Sequence, residues 1–221
     1  MAVRSLALVE ADVRKRADTD RQMSFGVYFA LYIILSWFGA IWGWVSGYQL
    51  FERRNRHFQR QEALFKDALH CFRELAQVKG VTSLDAEFDN VDRILREGEL
   101  KERPRDPLVW GVIFPILTLG LIYFLTFYWL MNDFREHWLR QKEISSKFDK
   151  FGRELGIVKT ALIDESEVPE RNYLAYVLLT ILTLFIFAIY WWYVVFRDAN
   201  EHFIRQAYFE DDLLTALRSA A

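Results

Sequence analysis

Three stretches of this 221-residue chain, residues 23–51, 107–131 and 172–196, contain no Asp, Glu, Lys or Arg. They run to 29, 25 and 25 residues, and about 20 apolar residues in a helix match the hydrocarbon thickness of a bilayer. Each window is therefore long enough for one membrane segment. All 28 basic and 30 acidic residues lie outside the windows. This segregation, hidden by a formal net charge of −2, predicts an integral membrane protein and leaves no basic excess for nucleic acid.

After each window the same string recurs: His57-Phe58-Gln59-Arg60-Gln61, His137-Trp138-Leu139-Arg140-Gln141 and His202-Phe203-Ile204-Arg205-Gln206. The first two copies also align Tyr48 with Tyr128 and Arg73-Glu74-Leu75 with Arg153-Glu154-Leu155, and the third aligns Asp198 with Asp133. Matches at fixed offsets identify an internal triplication. The first copy carries Arg53 where the others carry Asp.

Beyond each motif the apolar residues recur at helical spacing: Leu64, Ala68, Phe72 and Leu75; Ile144, Phe148, Phe151 and Leu155; Phe209, Leu213 and Leu217. The expected fold class is all-α, with three hydrophobic helices each continuing into an amphipathic extramembrane helix. An N-terminal amphipathic segment occupies 1–22. Repeat 1 spans 23–106, with its membrane segment at 23–51, a helix at 52–79 and a short helix at 83–97 that Gly98 closes. Repeat 2 spans 107–171 (membrane segment 107–131, helix 132–158). Repeat 3 spans 172–221 (membrane segment 172–196, helix 197–218). Cys71 reads as a small buried or interfacial hydrophobe and His70 as a surface residue.

Two topologies compete. Straight crossings place successive motifs on opposite faces of the membrane, and hydrophobic length favours them. Re-entrant windows, bending near Gly39, near 115–120 and near 180–183, place every motif on one face. They explain why Lys and Arg divide almost evenly, 13 against 15, between the two sides that straight crossings would create. Against them stand backbone groups left unpaired at lipid-exposed turns and a third window with no Gly or Pro at which to bend. Straight crossings are the expectation.

On a helix Asp133, His137, Arg140 and Gln141 share a face, as do Asp198, His202, Arg205 and Gln206, with His57, Arg60 and Gln61 in the first copy. These residues read as a polar collar at the membrane boundary, with Asp paired to His or Arg one turn away and the ring after each His at the interface. Three histidines are also a common zinc set. That reading needs all three on one face, and straight crossings strand His137, so neither metal nor cofactor is expected. No pattern supports catalysis. Gly39, Gly43 and Gly47 form a small-residue seam for close helix packing.

Thr118-Leu119-Gly120-Leu121-Ile122-Tyr123 leading to Tyr128-Trp129, and Thr183-Leu184-Phe185-Ile186 leading to Tyr190-Trp191, resemble a prokaryotic family of small integral membrane proteins of unknown function. That family has a Thr-Leu-Gly-Ile-Tyr core followed by Tyr-Trp, and Phe185 replaces its glycine in the third window. The resemblance implies a place in the prokaryotic cytoplasmic membrane and oligomerisation. The expected function is a non-enzymatic scaffold or accessory subunit whose partners are the bilayer and itself or other membrane subunits. The alternatives are a homo-oligomeric channel lined by Ser36, Thr118, Thr126 or Thr183, and a membrane-shaping protein with re-entrant hairpins.

Overall fold

A computed structural model describes residues 5–35, 39–158 and 160–220, with Gly39 and Ala40 described by backbone alone. The fold is all-helical: α1 (Leu6–Thr19), α2 (Phe25–Ile34), α3 (Gly39–Lys79), α4 (Asp85–Lys101), a π-helical turn (Val109–Ile113) leading into α5 (Phe114–Leu117), α6 (Tyr123–Glu154), α7 (Tyr173–Leu182) and α8 (Ile186–Arg218).

The expected straight segments are not there. Among the described residues no helix is long and apolar enough to cross a membrane, because every window is divided between two helices that fold back on each other. In the first, Tyr32 of α2 lies beside Gly43 of α3 and Tyr28 beside Trp42, 5.8 Å between ring centres. Ser36 lies outside the described residues. In the second, Trp110 reaches Trp129 at 4.5 Å, and in the third Tyr176 meets Phe187 at 5.3 Å. The arms α2 and α7 have 10 residues each, which at about 1.5 Å per residue is roughly half a hydrocarbon core.

The two objections to such bends are met by the threonines of the repeated Thr-Leu motif. The Thr118 hydroxyl donates to the Phe114 carbonyl at 2.7 Å and accepts from the Ile122 amide at 3.2 Å; Thr183 does the same with Leu179 at 2.7 Å and Phe187 at 2.9 Å. Gly120 N–H reaches the Pro115 carbonyl and Phe185 N–H the Thr180 carbonyl, both at 2.8 Å. The backbone groups of the turn are thus paired within it, as an apolar setting demands. Leu119 and Gly120 have φ of 50° and 84°, and Leu184 and Phe185 repeat this at 47° and 70°. Phe185 bends the third window without glycine, in a conformation that costs a side chain about 1–2 kcal/mol. At Gly120 a Cβ would meet nothing nearer than Tyr123 at 3.7 Å, so Gly120→Ala introduces conformational strain without a clash. We expect it to lower unfolding free energy by about 1 kcal/mol in denaturant titrations.

Beyond the hairpins α3, α6 and α8 run side by side in the same direction and bury their stripes on one another. Leu64, Ala68, Phe72 and Leu75, with Ile144, Phe148, Phe151 and Leu155 and with Phe209, Leu213 and Leu217, form one core, to which α1 adds Val9 and Val13 and α4 adds Phe88, Val91 and Leu95. Equivalent core positions step alternately by four and three residues: Leu50, Arg54, His57, Gln61, Leu64 and Ala68 in α3, and their counterparts in α6 and α8. This is the spacing of a parallel three-stranded coiled coil, built here from one chain. The amphipathic rods therefore find their partners in each other.

Some boundaries differ from the sequence reading. The short helix runs on to Lys101, with Gly98 buried inside it, where a Cβ would come 3.1 Å from Arg140. The second rod stops at Glu154 rather than 158, because Gly156 turns the chain at φ 67°. Within the glycine seam, Gly47 packs on Gly111, whose carbonyl oxygen would lie 2.7 Å from a Cβ. The surroundings of Gly39 lie outside the described residues. Cys71 is fully buried, its thiol pushed up to about 11 by burial, and His70 is exposed.

Candidate metal centre

The three-helix register brings His57, His137 and His202 into one layer of the bundle, on one side of all three hairpins. Straight crossings would place His137 opposite the other two; that separation disappears because the windows fold back. The rings are 0 %, 5 % and 0 % exposed, with centres 5.3, 5.3 and 5.8 Å apart. One nitrogen from each lies within 4.8 Å of those from the others. Such atoms are at most about 2.8 Å from a common centre, and a zinc–imidazole bond of about 2.1 Å needs only a small inward shift of each ring.

Every Nδ1 is occupied: with Asp20 Oδ1 at 2.9 Å for His57, Glu102 Oε1 at 2.7 Å for His137, and the Ser166 carbonyl at 2.8 Å for His202. Among the described residues, the Nε2 of each of these three histidines is buried without a hydrogen-bond partner. A carbonyl or ionised carboxylate can only accept, so the proton of each neutral ring sits on Nδ1 and the lone pair on Nε2 faces the axis. Burial holds His57 down at about 4 despite Asp20, and burial together with the other two rings holds His202 well below its ordinary value. These rings are neutral at pH 7. Burial also works against ionisation of Asp20 and Glu102. His57 and Arg60 outweigh it at Asp20, as His137 and Arg140 do at Glu102, and both carboxyls sit below the ordinary range. Carboxylate–histidine pairs of this kind orient metal ligands and raise their basicity.

The three Nδ1 acceptors stand 37, 35 and 36 residues before their histidines. The structural repeat thus runs from acceptor through hairpin to histidine. Sequence analysis missed all three acceptors. Their near-constant distance upstream was the available signal, obscured because one is Asp, one Glu and one a backbone carbonyl. The segment around Asp164 and Ser166 is a strap that delivers this third acceptor.

The aromatic residues after each His are core residues rather than interface anchors. Phe58 stacks on the His137 ring at 4.1 Å, Phe203 lies 4.3 Å from His57, and with Trp138, Phe134 and Val168 they enclose the layer. The expected pairing of Asp with His or Arg one turn away also fails. Asp133 binds Arg105 at 3.0 Å and Arg54 at 3.0 Å, and Asp198 binds Arg171 at 2.8 Å, each contact tying a rod to another segment. Arg60 reaches both Asp20 at 2.8 Å and Glu210 at 2.8 Å; Arg140 pairs with Glu102; Arg205 is exposed. In the first copy Arg53 donates to Asn200 at 2.7 Å. Gln61, Gln141 and Gln206, four residues after each His, form the next core layer and are 0 %, 1 % and 0 % exposed. Apart from exposed Arg205 and the partly buried Asp133 and Arg140, the collar is thus a buried polar core.

No protein-family model, curated protein or solved structure matches the chain.

The chemistry open to this site follows from its donors. Three imidazoles, which ligate a metal in their neutral form, suit a borderline divalent ion such as Zn2+, with Cu2+, Ni2+ and Co2+ as competitors. Threonine hydroxyls offered as pore lining are engaged elsewhere: Thr118 and Thr183 close the hairpin turns, and Thr126 donates to the Tyr123 carbonyl at 3.2 Å.

Proposed function

We propose that this protein is a membrane-seated scaffold that inserts three apolar hairpins into one leaflet and joins them at their base through a divalent transition-metal ion held by His57, His137 and His202. The observation that carries the reading is the convergence of three buried histidines, one from each repeat, each placing a ring nitrogen within 4.8 Å of the others, with every Nδ1 held by an acceptor and every Nε2 unpartnered among the described residues. An unpaired buried polar atom costs about 1–3 kcal/mol, and one ion would satisfy all three at once. Because the ligands come one per repeat, the ion would fix the three hairpins relative to one another.

Support for the membrane seat comes from the hairpin tips. Leu119 is 94 % and Leu184 83 % exposed, and Leu117, Leu182, Ile186 and Ile34 beside them are also exposed. The three hairpins enclose an apolar cleft of about 490 Å³ at this end, lined from the first by Tyr32 and Ile33, from the second by Leu119 and Leu121 and from the third by Phe185 and Ile189. An exposed apolar surface gathered at one end of a molecule marks a membrane or partner surface, and charge-free windows favour the bilayer. Arms of half-membrane length cross one leaflet to about the bilayer midplane and return, so no crossing helix is required. Each histidine lies six residues past its window, about 9 Å along the helix, outside the hydrocarbon. The identical faces of the motifs and the even distribution of Lys and Arg follow from this one-sided arrangement.

The purified chain in detergent should bind one Zn2+ or Co2+ per molecule. Glu102→Gln, which keeps the side chain's size but removes the charge behind His137, should weaken that binding by about 10–100-fold, measured by competition with a chromophoric chelator. Absence of stoichiometric binding to the unaltered protein would refute the metal reading.

A further inference from the structure

Neither amide atom of Gln61, Gln141 or Gln206 has a hydrogen-bond partner among the described residues. Six polar atoms therefore stand unsatisfied in a closed core layer, one turn beyond the histidines and about 6 Å along the axis. Native cores pair nearly all such groups. The layer beyond, Leu64, Ile144 and Phe209, is apolar, so it offers the amides no partner. Next to the two polar layers lies a cavity of about 20 Å³ lined by Gln61, Gln141, His137, Glu102, Arg140 and Gly98, room for about one water-sized species.

We propose that the metal centre is open on its glutamine side and takes a small monovalent inorganic anion, a halide or hydroxide, as fourth ligand, with the amide N–H groups of Gln61, Gln141 and Gln206 donating to it. The inference rests on the metal reading above. Three neutral imidazoles leave the ion its full double charge. The carboxylates behind the rings are themselves paired, Asp20 with Arg60 and Glu102 with Arg140, and do little to neutralise it. An anion on the axis compensates part of that charge where the dielectric is low, and hydrogen bonds from neutral donors to a charged acceptor are among the stronger ones. Three glutamines supply donors without adding a charge of their own. The cavity stands to one side of the axis, against His137, Gln61 and Gln141 but not Gln206, and its room for about one water-sized species suits an approaching monatomic or hydroxide-sized ligand rather than a tetrahedral oxyanion. Its wall includes Gly98 of α4, where a Cβ would come within 3.1 Å of the Arg140 side chain.

The test uses the whole protein in detergent, loaded with Co2+ in halide-free sulfate buffer, with bromide as probe. The visible d–d bands should shift saturably as bromide is added. In Gln61→Leu/Gln141→Leu/Gln206→Leu, a variant that makes the layer apolar, Co2+ should remain bound while bromide affinity falls at least tenfold. Should that variant lose Co2+, the three single substitutions, each leaving two amides in place, carry the comparison, each with a smaller loss of bromide affinity. Bands that do not respond to bromide while Co2+ is bound, or equal bromide affinity with and without the amides, overturn this inference and leave the metal reading standing. No Co2+ band in the unaltered protein overturns both.

Discussion

Adding Zn2+ to the metal-stripped protein should raise its unfolding temperature by about 8–16 °C once the free ion stands near 1,000 times its dissociation constant. An ion that binds only the folded state then contributes about 4 kcal/mol, and in chains of this length each kcal/mol moves the midpoint by about 2–4 °C. The rise should vanish in His57→Ala, His137→Ala and His202→Ala, whatever the starting stability of each, because two remaining imidazoles form a far weaker site. It should persist in His70→Ala, whose ring is exposed on the same helix as His57. Differential scanning calorimetry in detergent gives the comparison. A rise that survives loss of His137 would place the ion elsewhere, and no rise in the unaltered protein would remove the metal from the account.

The second large effect concerns the hairpin tips. Replacing Leu119 and Leu184 together by arginine puts two guanidinium groups where the leaflet insertion places its deepest residues, each at a cost of about 2.5–3.5 kcal/mol. Binding to phosphatidylcholine vesicles, followed by flotation, should fall by about four orders of magnitude. Both side chains are among the most exposed in the protein, so the bundle should fold as before and keep its Zn2+-dependent midpoint. Leu139→Arg, at an exposed position on the bundle two residues beyond His137, should leave vesicle binding unchanged. A tip double variant that floats like the unaltered protein would show that the exposed apolar end serves something other than a bilayer.

The parts of this fold that were legible in the sequence are those governed by local periodicity. The stripe from Leu64 to Leu75 and its two counterparts became the bundle core because residues three and four apart share a helix face wherever the helix is placed. The triplicated His-x-x-Arg-Gln string marked the layers that matter. Its chemistry was misread, since the same spacing serves an exposed collar and a buried core layer equally well. The Thr-Leu-Gly core behind the family resemblance turns out to be the hairpin turn itself. The same turn at Thr183-Leu184-Phe185 was missed because a glycine was taken to be necessary, whereas a hydroxyl that pairs both sides of the turn lets a phenylalanine adopt the left-handed conformation.

Sequence alone therefore determined that three equivalent helices exist, which faces of them are apolar, and that a histidine and a glutamine recur at matching heights. Whether those heights coincide depended on the direction in which each helix leaves its window. That direction is set by hydrogen bonds within the short turns at Thr118 and Thr183 and by ion pairs such as Arg105 with Asp133 that link residues far apart in the chain. Only the folded-back hairpins point all three helices the same way, and only then do three scattered imidazoles, with acceptors some 36 residues upstream, become one set of ligands.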